Sequence, residues 1–313
     1  MKLKAFFVIM LLSICAVAQS NKPMRKMAVT FDDLPYVSLG TQNLSDAQRV
    51  TRELLRVLKK RKVPTVAFVN EGKLQVAGEV EARIALLQMW IDAGAILGNH
   101  TYSHPDFNTL TVEQFEDEII KGDVVTRRLM RSHEPYQLYF RHPNTHTGDT
   151  QAKKEAVENF LAVRGYKVTP HTIENSDFIF NAIYVEALRK HDEAMARRLR
   201  KDYLDFTVAA TEFAERISPK IFGREVTQTL LIHASDINAD CLDEMLKRLT
   251  ERGYGFVSLD EAMSDPAYQT RDTVVTTFGP SWLWRWMKSK GMNISFADDP
   301  DPPQWVMDLF RQR

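Results

Sequence analysis

Short apolar runs alternate along this chain with longer segments whose apolar residues recur at helical spacing. Met27-Phe31, Thr65-Val69, Ala95-Gly98, Gln137-Phe140, Lys167-Ile173, Thr229-Ile232 and Gly255-Leu259 read as seven strands. Between them, 46–60 repeats Val50, Leu54, Leu55 and Leu58 on one helical face, and 80–93, 112–130, 150–164 and 239–252 are also helical. Gly94, Gly165 and Gly253 stand where three of these helices stop, and Thr111 with Gln114 suits the first turn of the 112–130 helix. The heavily charged stretch 183–217 reads as a pair of outer helices with a solvated face, a lid or cleft rim being the alternative. Strand-then-helix repetition predicts an α/β fold, a distorted (β/α) barrel of about seven parallel strands.

Composition is that of an ordinary globular protein: 44% hydrophobic, 10% aromatic and 26% charged. With 41 basic and 41 acidic residues the formal net charge is +0, which speaks against a nucleic-acid binder working through bulk positive charge. No linker or internal repeat divides the chain. Its first residues, MKLKAFFVIMLLSICAVAQS, have a basic start, an apolar run too short for a comfortable membrane span, and a small-x-small site at Ala16-Val17-Ala18. The expectation is a signal peptide over 1–18 and a secreted or periplasmic protein with no stable membrane insertion after cleavage. A lipoprotein centred on Cys15 fits less well, because bulky Ile14 precedes it. Cleavage would leave a net charge of −2 and Cys241 alone, expected as a buried apolar residue without a disulfide. The repeating pattern covers 19–268, and 269–313 departs from it with Trp282, Trp284, Trp286 and Trp305.

Polar residues capable of chemistry gather where strands end. Asp32 and Asp33 follow the first strand, His100 and His104 the third, Arg141 the fourth, Asp177 the fifth and His233 the sixth. In a parallel barrel those ends share one face, so residues remote in sequence converge. His100 and His104, four apart, would share a face in a short helical turn closed by Pro105. Two histidines with one aspartate make a three-ligand set with an open position, the pattern of a catalytic metal site. Zn2+ suits such ligands, and Co2+, Ni2+ and Fe2+ fit them too. The second aspartate can take a proton from water, and His233 can protonate a leaving nitrogen or oxygen. Arg141 can keep the base carboxylate charged, and Asp177 can raise the pKa of His233. Together these describe hydrolysis of an acyl group.

TFDD (Thr30-Asp33), HTYSH (His100-His104), RHP (Arg141-Pro143), SDF (Ser176-Phe178) and LIH (Leu231-His233) resemble, in order, the five motifs of polysaccharide deacetylases, the NodB-homology domains of carbohydrate esterase family 4. The resemblance spans roughly 27–260. It implies Asp32 as general base, Asp33 as metal ligand beside His100 and His104, and Arg141 steadying Asp32. It also implies His233 as general acid tuned by Asp177, the Asn144 backbone N–H at the oxyanion, and Leu231 beside the acetyl methyl. Domain 19–268 would then be catalytic, with 269–313 an extension packed on the barrel.

Two positions depart from the family pattern: Asn144 stands where an aromatic residue is common, and Phe178 follows Asp177 where tryptophan is usual. Phe178 still offers an apolar wall. Both flank the sugar, so they bear on the substrate more than on the reaction. His142 and His146 lie in the third-motif loop, within reach of substrate or simply solvated; His171 is a further histidine to place. The tail tryptophans could stack on sugar rings, although Trp282 and Trp286, four apart, suit a helix packed on the barrel. The implied activity is removal of N-acetyl groups from an extracytoplasmic glycan, peptidoglycan or a chito-oligosaccharide. Alternatives are an O-acetyl esterase on xylan or another acetylated glycan, a non-catalytic carbohydrate-binding protein on the same fold, and an exported metal-binding protein. The complete polar set argues against the last two.

Overall fold

Met27 to Asp32 is buried at every position, which requires a strand covered on both faces. That strand, β1 (Arg25–Leu34), is central in a parallel sheet. The structure, a computed structural model, describes residues 25–37, 43–133 and 136–313, so the signal-peptide reading lies outside the described residues. Beside β1 lie β2 (Thr65–Val69), β3 (Ile96–Asn99), β4 (Leu138–Phe140) and β5 (Tyr166–Val168) on one side, and then β7 (Gln228–His233) and β6 (Ile173–Glu174) on the other. An eighth strand, β8 (Tyr254–Phe256), pairs with the start of β1, at Arg25–Met27, off this path. The seven-strand path curls into a half-barrel, as the sequence pattern predicts.

The expected fifth strand, 167–173, proves to be two. Thr169 N donates to the Phe140 carbonyl, but Thr172 N donates to that of Thr229. The chain thus changes partners from β4 to β7 across Pro170, which has no N–H to give either. Consecutive β5 and β6 become the two ends of the sheet path, with no ladder between them among the described residues.

Helices α1 (Leu44–Arg61), α2 (Val80–Asp92), α3 (Val112–Lys121), α4 (Val124–Met130) and α5 (Gln151–Val163) connect the first five strands. α1 buries Val50, Leu54, Leu55 and Leu58, the stripe its spacing predicts, each side chain worth about 1.5–3 kcal/mol of transfer from water. The single helix expected over 112–130 is broken at Gly122. A Cβ there would lie 2.5 Å from the Thr101 carbonyl carbon, so the break admits the loop carrying His100 and His104. Thr111 and Gln114 form the expected capping box at the start of α3.

The charged stretch forms α6 (Asp177–Arg189) and α7 (Glu193–Phe222). Both bury an apolar face that includes Phe180, Tyr184, Leu199 and Tyr203, and carry ion pairs such as Lys201–Asp205 outside. They are packed outer helices, as the patterning favours. Next come α8 (Asp236–Glu251), where Cys241 is buried with its thiol pushed up to about 12 by desolvation, and α9 (Leu259–Met263). The tail adds α10 (Trp282–Ser289) and α11 (Gln304–Arg311). Trp282 and Trp286 are buried as their spacing suggests, Trp305 donates to Asp202, and Trp284 stays half-buried. Among the described residues, no helix is long and apolar enough to cross a membrane.

Candidate active site

Consecutive residues of a regular strand point to opposite faces, yet Asp32 and Asp33 turn their carboxylates into one cleft. The β1–β2 register shifts between Phe31 and Leu34, and Asp33 has φ of 70°. This local bulge re-aims Asp33. His100 Nε2 consequently lies 3.8 Å from both Asp32 Oδ2 and Asp33 Oδ1.

His104 joins them, but not through a helical turn. The segment after β3 is a loop in which Thr101 (φ 68°) and His104 (φ 60°) are left-handed. Asn99 organises it: its Oδ1 accepts from Thr101 N (2.7 Å) and its Nδ2 donates to the Ile119 carbonyl (2.8 Å). The Thr101 hydroxyl accepts from His104 N at 3.2 Å. His104 Nε2 ends 3.6 Å from Asp33 Oδ1. Proline at 105 excludes a continuing helix, as expected, and the left-handed residue before it does the turning.

Asp33, His100 and His104 form a group whose ligating atoms lie within 4.8 Å of one another. Their chemistry fits a divalent cation. His100 Nδ1 faces the Arg141 carbonyl at 2.8 Å, and a carbonyl only accepts, so Nδ1 carries the proton and Nε2 presents a lone pair to the carboxylates. Burial holds His100 well below its usual range, in the neutral, ligating form. Asp33 Oδ1 is buried without a hydrogen-bond partner. Burial works to raise the Asp33 pKa, but Lys73, His104 and the other histidines hold it well below the usual carboxylate range.

Asp32 is 2% exposed, and burial pushes its carboxyl upward against the pull of Arg141. Arg141 is wholly buried. Its Nη1 lies 3.6 Å from Asp32 Oδ2, while Nη2 donates to the Thr30 hydroxyl at 3.0 Å. Thr30 in turn donates to the Leu230 carbonyl at 3.0 Å.

Across the sheet, Asp32 is in register with His233. Asp177, at the first turn of α6, accepts from His233 Nδ1 at 2.6 Å and from His233 backbone N at 2.7 Å, and Asn238 donates to the same carboxylate. Burial opposes charge on His233, yet Asp177 pushes its pKa up to about 10. The cleft of about 370 Å³ is lined by Asp32, Asp33, His100, His104 and His233, with Asn144, Phe178 and Leu231 on its walls. Of the predicted site residues, Arg141 and Asp177 stand behind this lining, each against a residue that forms it.

His142 and His171 also line the cleft, both buried, and burial holds His142 down at about 3. His146 instead pairs with Asp106 at 2.7 Å and ties two loops together. Thr145 and Glu174 of the lining, Lys73 and Gly279 are contributors that the sequence motifs do not mark. Lys73 places its ammonium 3.3 Å from Asp33 Oδ1; it lies just past the end of β2, where the rule of converging strand ends could have found it. Gly279 of the tail closes one wall of the cleft, and no local signal marks it.

Comparison with known proteins adds a family. The model for "Polysaccharide deacetylase" matches residues 19–175. A peptidoglycan-N-acetylglucosamine deacetylase of Bacillus cereus is 27% identical over 139 residues, 44% of this chain and 43% of that protein. A peptidoglycan-N-acetylmuramic acid deacetylase of Bacillus subtilis is 25% identical over 213 residues, 68% of this chain and 66% of that protein. A solved Bacillus subtilis family 4 carbohydrate esterase is 21% identical, with a TM-score of 0.48, over 78% of this chain and 82% of that one.

Proposed function

The chain belongs to the polysaccharide deacetylase family, and on that footing we propose that it is a metal-dependent hydrolase that removes N-acetyl groups from an extracytoplasmic glycan, either peptidoglycan or a chito-oligosaccharide. The observation that carries this reading is the meeting of Asp33, His100 and His104, with Asp32 alongside. These three would hold a divalent cation, Zn2+ by donor type, which when bound supplies polarisation of the acyl carbonyl and of water.

The protein's own groups do the rest. Asp32 takes a proton from water as the oxygen bonds to the acyl carbon, and Arg141 keeps that carboxylate charged and oriented. The Asn144 N–H donates to the developing oxyanion. Leu231 walls the acetyl methyl and Phe178 the sugar. As the carbon–nitrogen bond breaks, His233 gives its proton to nitrogen, so acetate and an amine leave. An amine departs poorly unless protonated, and the Asp177 partnership holds a proton on His233 through neutral pH. That favours the N-acetyl over the O-acetyl reading.

The sequence of residues 1–18 supports export by a cleaved signal peptide. We assign 19–268 to the catalytic domain and 269–313 to an extension. The test is acetate release from a panel of N- and O-acetylated oligosaccharides, by mature protein loaded with Zn2+ and by the same protein after chelation. Release from N-acetylated members that chelation abolishes and metal restores is expected. Release from O-acetylated members alone, or undiminished release after chelation, rejects the reading.

A further inference from the structure

A second groove of about 500 Å³ runs beside the cleft, and the two share Glu174 and Gly279. Apart from residues 172–174, its lining lies outside the 19–175 span of the family match. One wall is α7, through Phe206 and Phe213; the other is the tail, through Phe278, Trp284 and the 296–301 segment.

The junction is tightly built. A Cβ on Gly279 would lie 1.9 Å from the Asn144 carbonyl oxygen and 2.0 Å from the Thr145 hydroxyl, so the tail is pressed onto the third-motif loop. Three further bonds fix it: Asn108 Nδ2 to the Thr277 carbonyl (2.9 Å), Trp282 N to the His171 carbonyl (2.9 Å), and the buried Arg285 to the Thr145 carbonyl (3.0 Å).

Two aromatic side chains stand largely exposed among the described residues, Phe178 at 43% and Phe278 at 53%. Phe178 lines the cleft, and Phe278 lines the groove with its ring 5.3 Å from that of Trp284. Aromatic walls interspersed with the hydroxyls of Thr172, Ser176 and Ser281 suit a ligand having apolar faces and hydroxyl edges. Glu174, Asp299 and Asp301 also line the groove, and among the described residues no lysine, arginine or histidine does. An anionic occupant would meet only like charge.

We propose that this groove is an accessory glycan subsite, built by α7 and the tail, that takes the sugar unit next to the one being deacetylated and prefers a neutral or amine-bearing unit over a carboxylate-bearing one. It rests on the deacetylase reading. Phe278 and Trp284 supply the apolar contact, and Asp299 and Asp301 set the charge preference.

The test measures binding by calorimetry to Zn2+-loaded Asp32→Asn protein, so that turnover does not intervene. The probes are the N-acetylglucosamine dimer, the tetramer, and a tetramer carrying uronic acid units. The tetramer should bind about tenfold tighter than the dimer, roughly 1.4 kcal/mol. Phe278→Ser and Trp284→Ala should each pull that ratio towards one. The uronate tetramer should bind more weakly than the neutral one, and Asp299→Asn with Asp301→Asn should narrow the gap. Equal affinity for dimer and tetramer, a ratio untouched by both aromatic substitutions, or equal binding of the uronate chain overturns the proposal. Failure of wild-type protein to release acetate, with the binding pattern intact, removes the deacetylase reading and leaves the groove standing.

Discussion

The same two functional groups, carboxylate and imidazole, meet twice at the cleft itself, at two different distances. In the Asp33, His100 and His104 group the carboxylate oxygen stays 3.6–3.8 Å from the imidazole nitrogens, too long for a hydrogen bond. At Asp177 and His233 the distance is 2.6 Å. In the open group, a carbonyl already holds the proton of His100 on its far nitrogen, so the near nitrogen is left as a donor of electrons. In the closed pair the proton lies between imidazole and carboxylate, and the carboxylate is saturated by two further N–H groups. Identical residue types are thus divided between holding a cation and holding a proton, and the backbone decides which.

The largest effects should come from the open group. His100→Ala removes one of the three proposed ligands and should abolish both stoichiometric Zn2+ binding and acetate release, a loss of more than about a thousandfold in kcat/KM. Full metal content in that variant, read by calorimetry and metal analysis, would break the comparison. Asp32→Asn is the sharper test. It keeps all three proposed ligands, so Zn2+ should bind while turnover falls by about a thousandfold, the range expected for loss of a general base. Near-normal turnover would take the base assignment away from Asp32.

The convergence of these residues was legible because parallel strands put their carboxyl ends on one face, and the alternation of strand and helix is plain from the spacing of apolar residues. What was not legible is how each side chain turns. Nothing in Asp32-Asp33 announces a bulge, and without one the second carboxylate would face away from the first. The His100–His104 spacing suggests that the two rings share a face through a helical turn; the structure brings them together through two left-handed residues instead. The single strand expected over 167–173 hid a change of partners that only the tertiary pairing reveals. Lys73 carries no signal at the strand end itself: β2 ends at Val69 and is followed by uncharged Asn70, with the ammonium three residues further on. Gly279 contributes by the absence of a side chain, which a single sequence cannot show.

The closed pair should give the next effect. Asp177→Asn leaves Zn2+ binding intact but removes the charge that keeps His233 protonated, so its pKa falls from about 10 towards that of an ordinary buried imidazole. The alkaline limb of the kcat/KM profile should move to lower pH, with about a ten- to hundredfold loss at pH 8. The loss should be smaller on an O-acetylated glycan, whose alkoxide needs the acid less. An unmoved alkaline limb would mean that His233 does not supply the proton.

The smallest effect is on stability, and its sign follows from the same pair. His233 has a higher pKa in the folded protein than in the unfolded chain, so the folded state binds the extra proton between the two values. The stabilisation from the pair is therefore complete below the unfolded pKa, about 6.5, and fades as pH rises towards about 10. One proton limits the slope to about 1.4 kcal/mol per pH unit. Urea unfolding of metal-free protein between pH 6.5 and 9.5 should show stability falling with pH, and Asp177→Asn should flatten that fall whatever it does to absolute stability. His100, neutral in the open group and pressed the other way by burial, gives the contrast. Its folded pKa lies below the unfolded value, so it binds no extra proton above pH 6.5 and His100→Gln should leave the slope over that range unchanged. A slope that survives Asp177→Asn but vanishes in His100→Gln would reverse the two assignments.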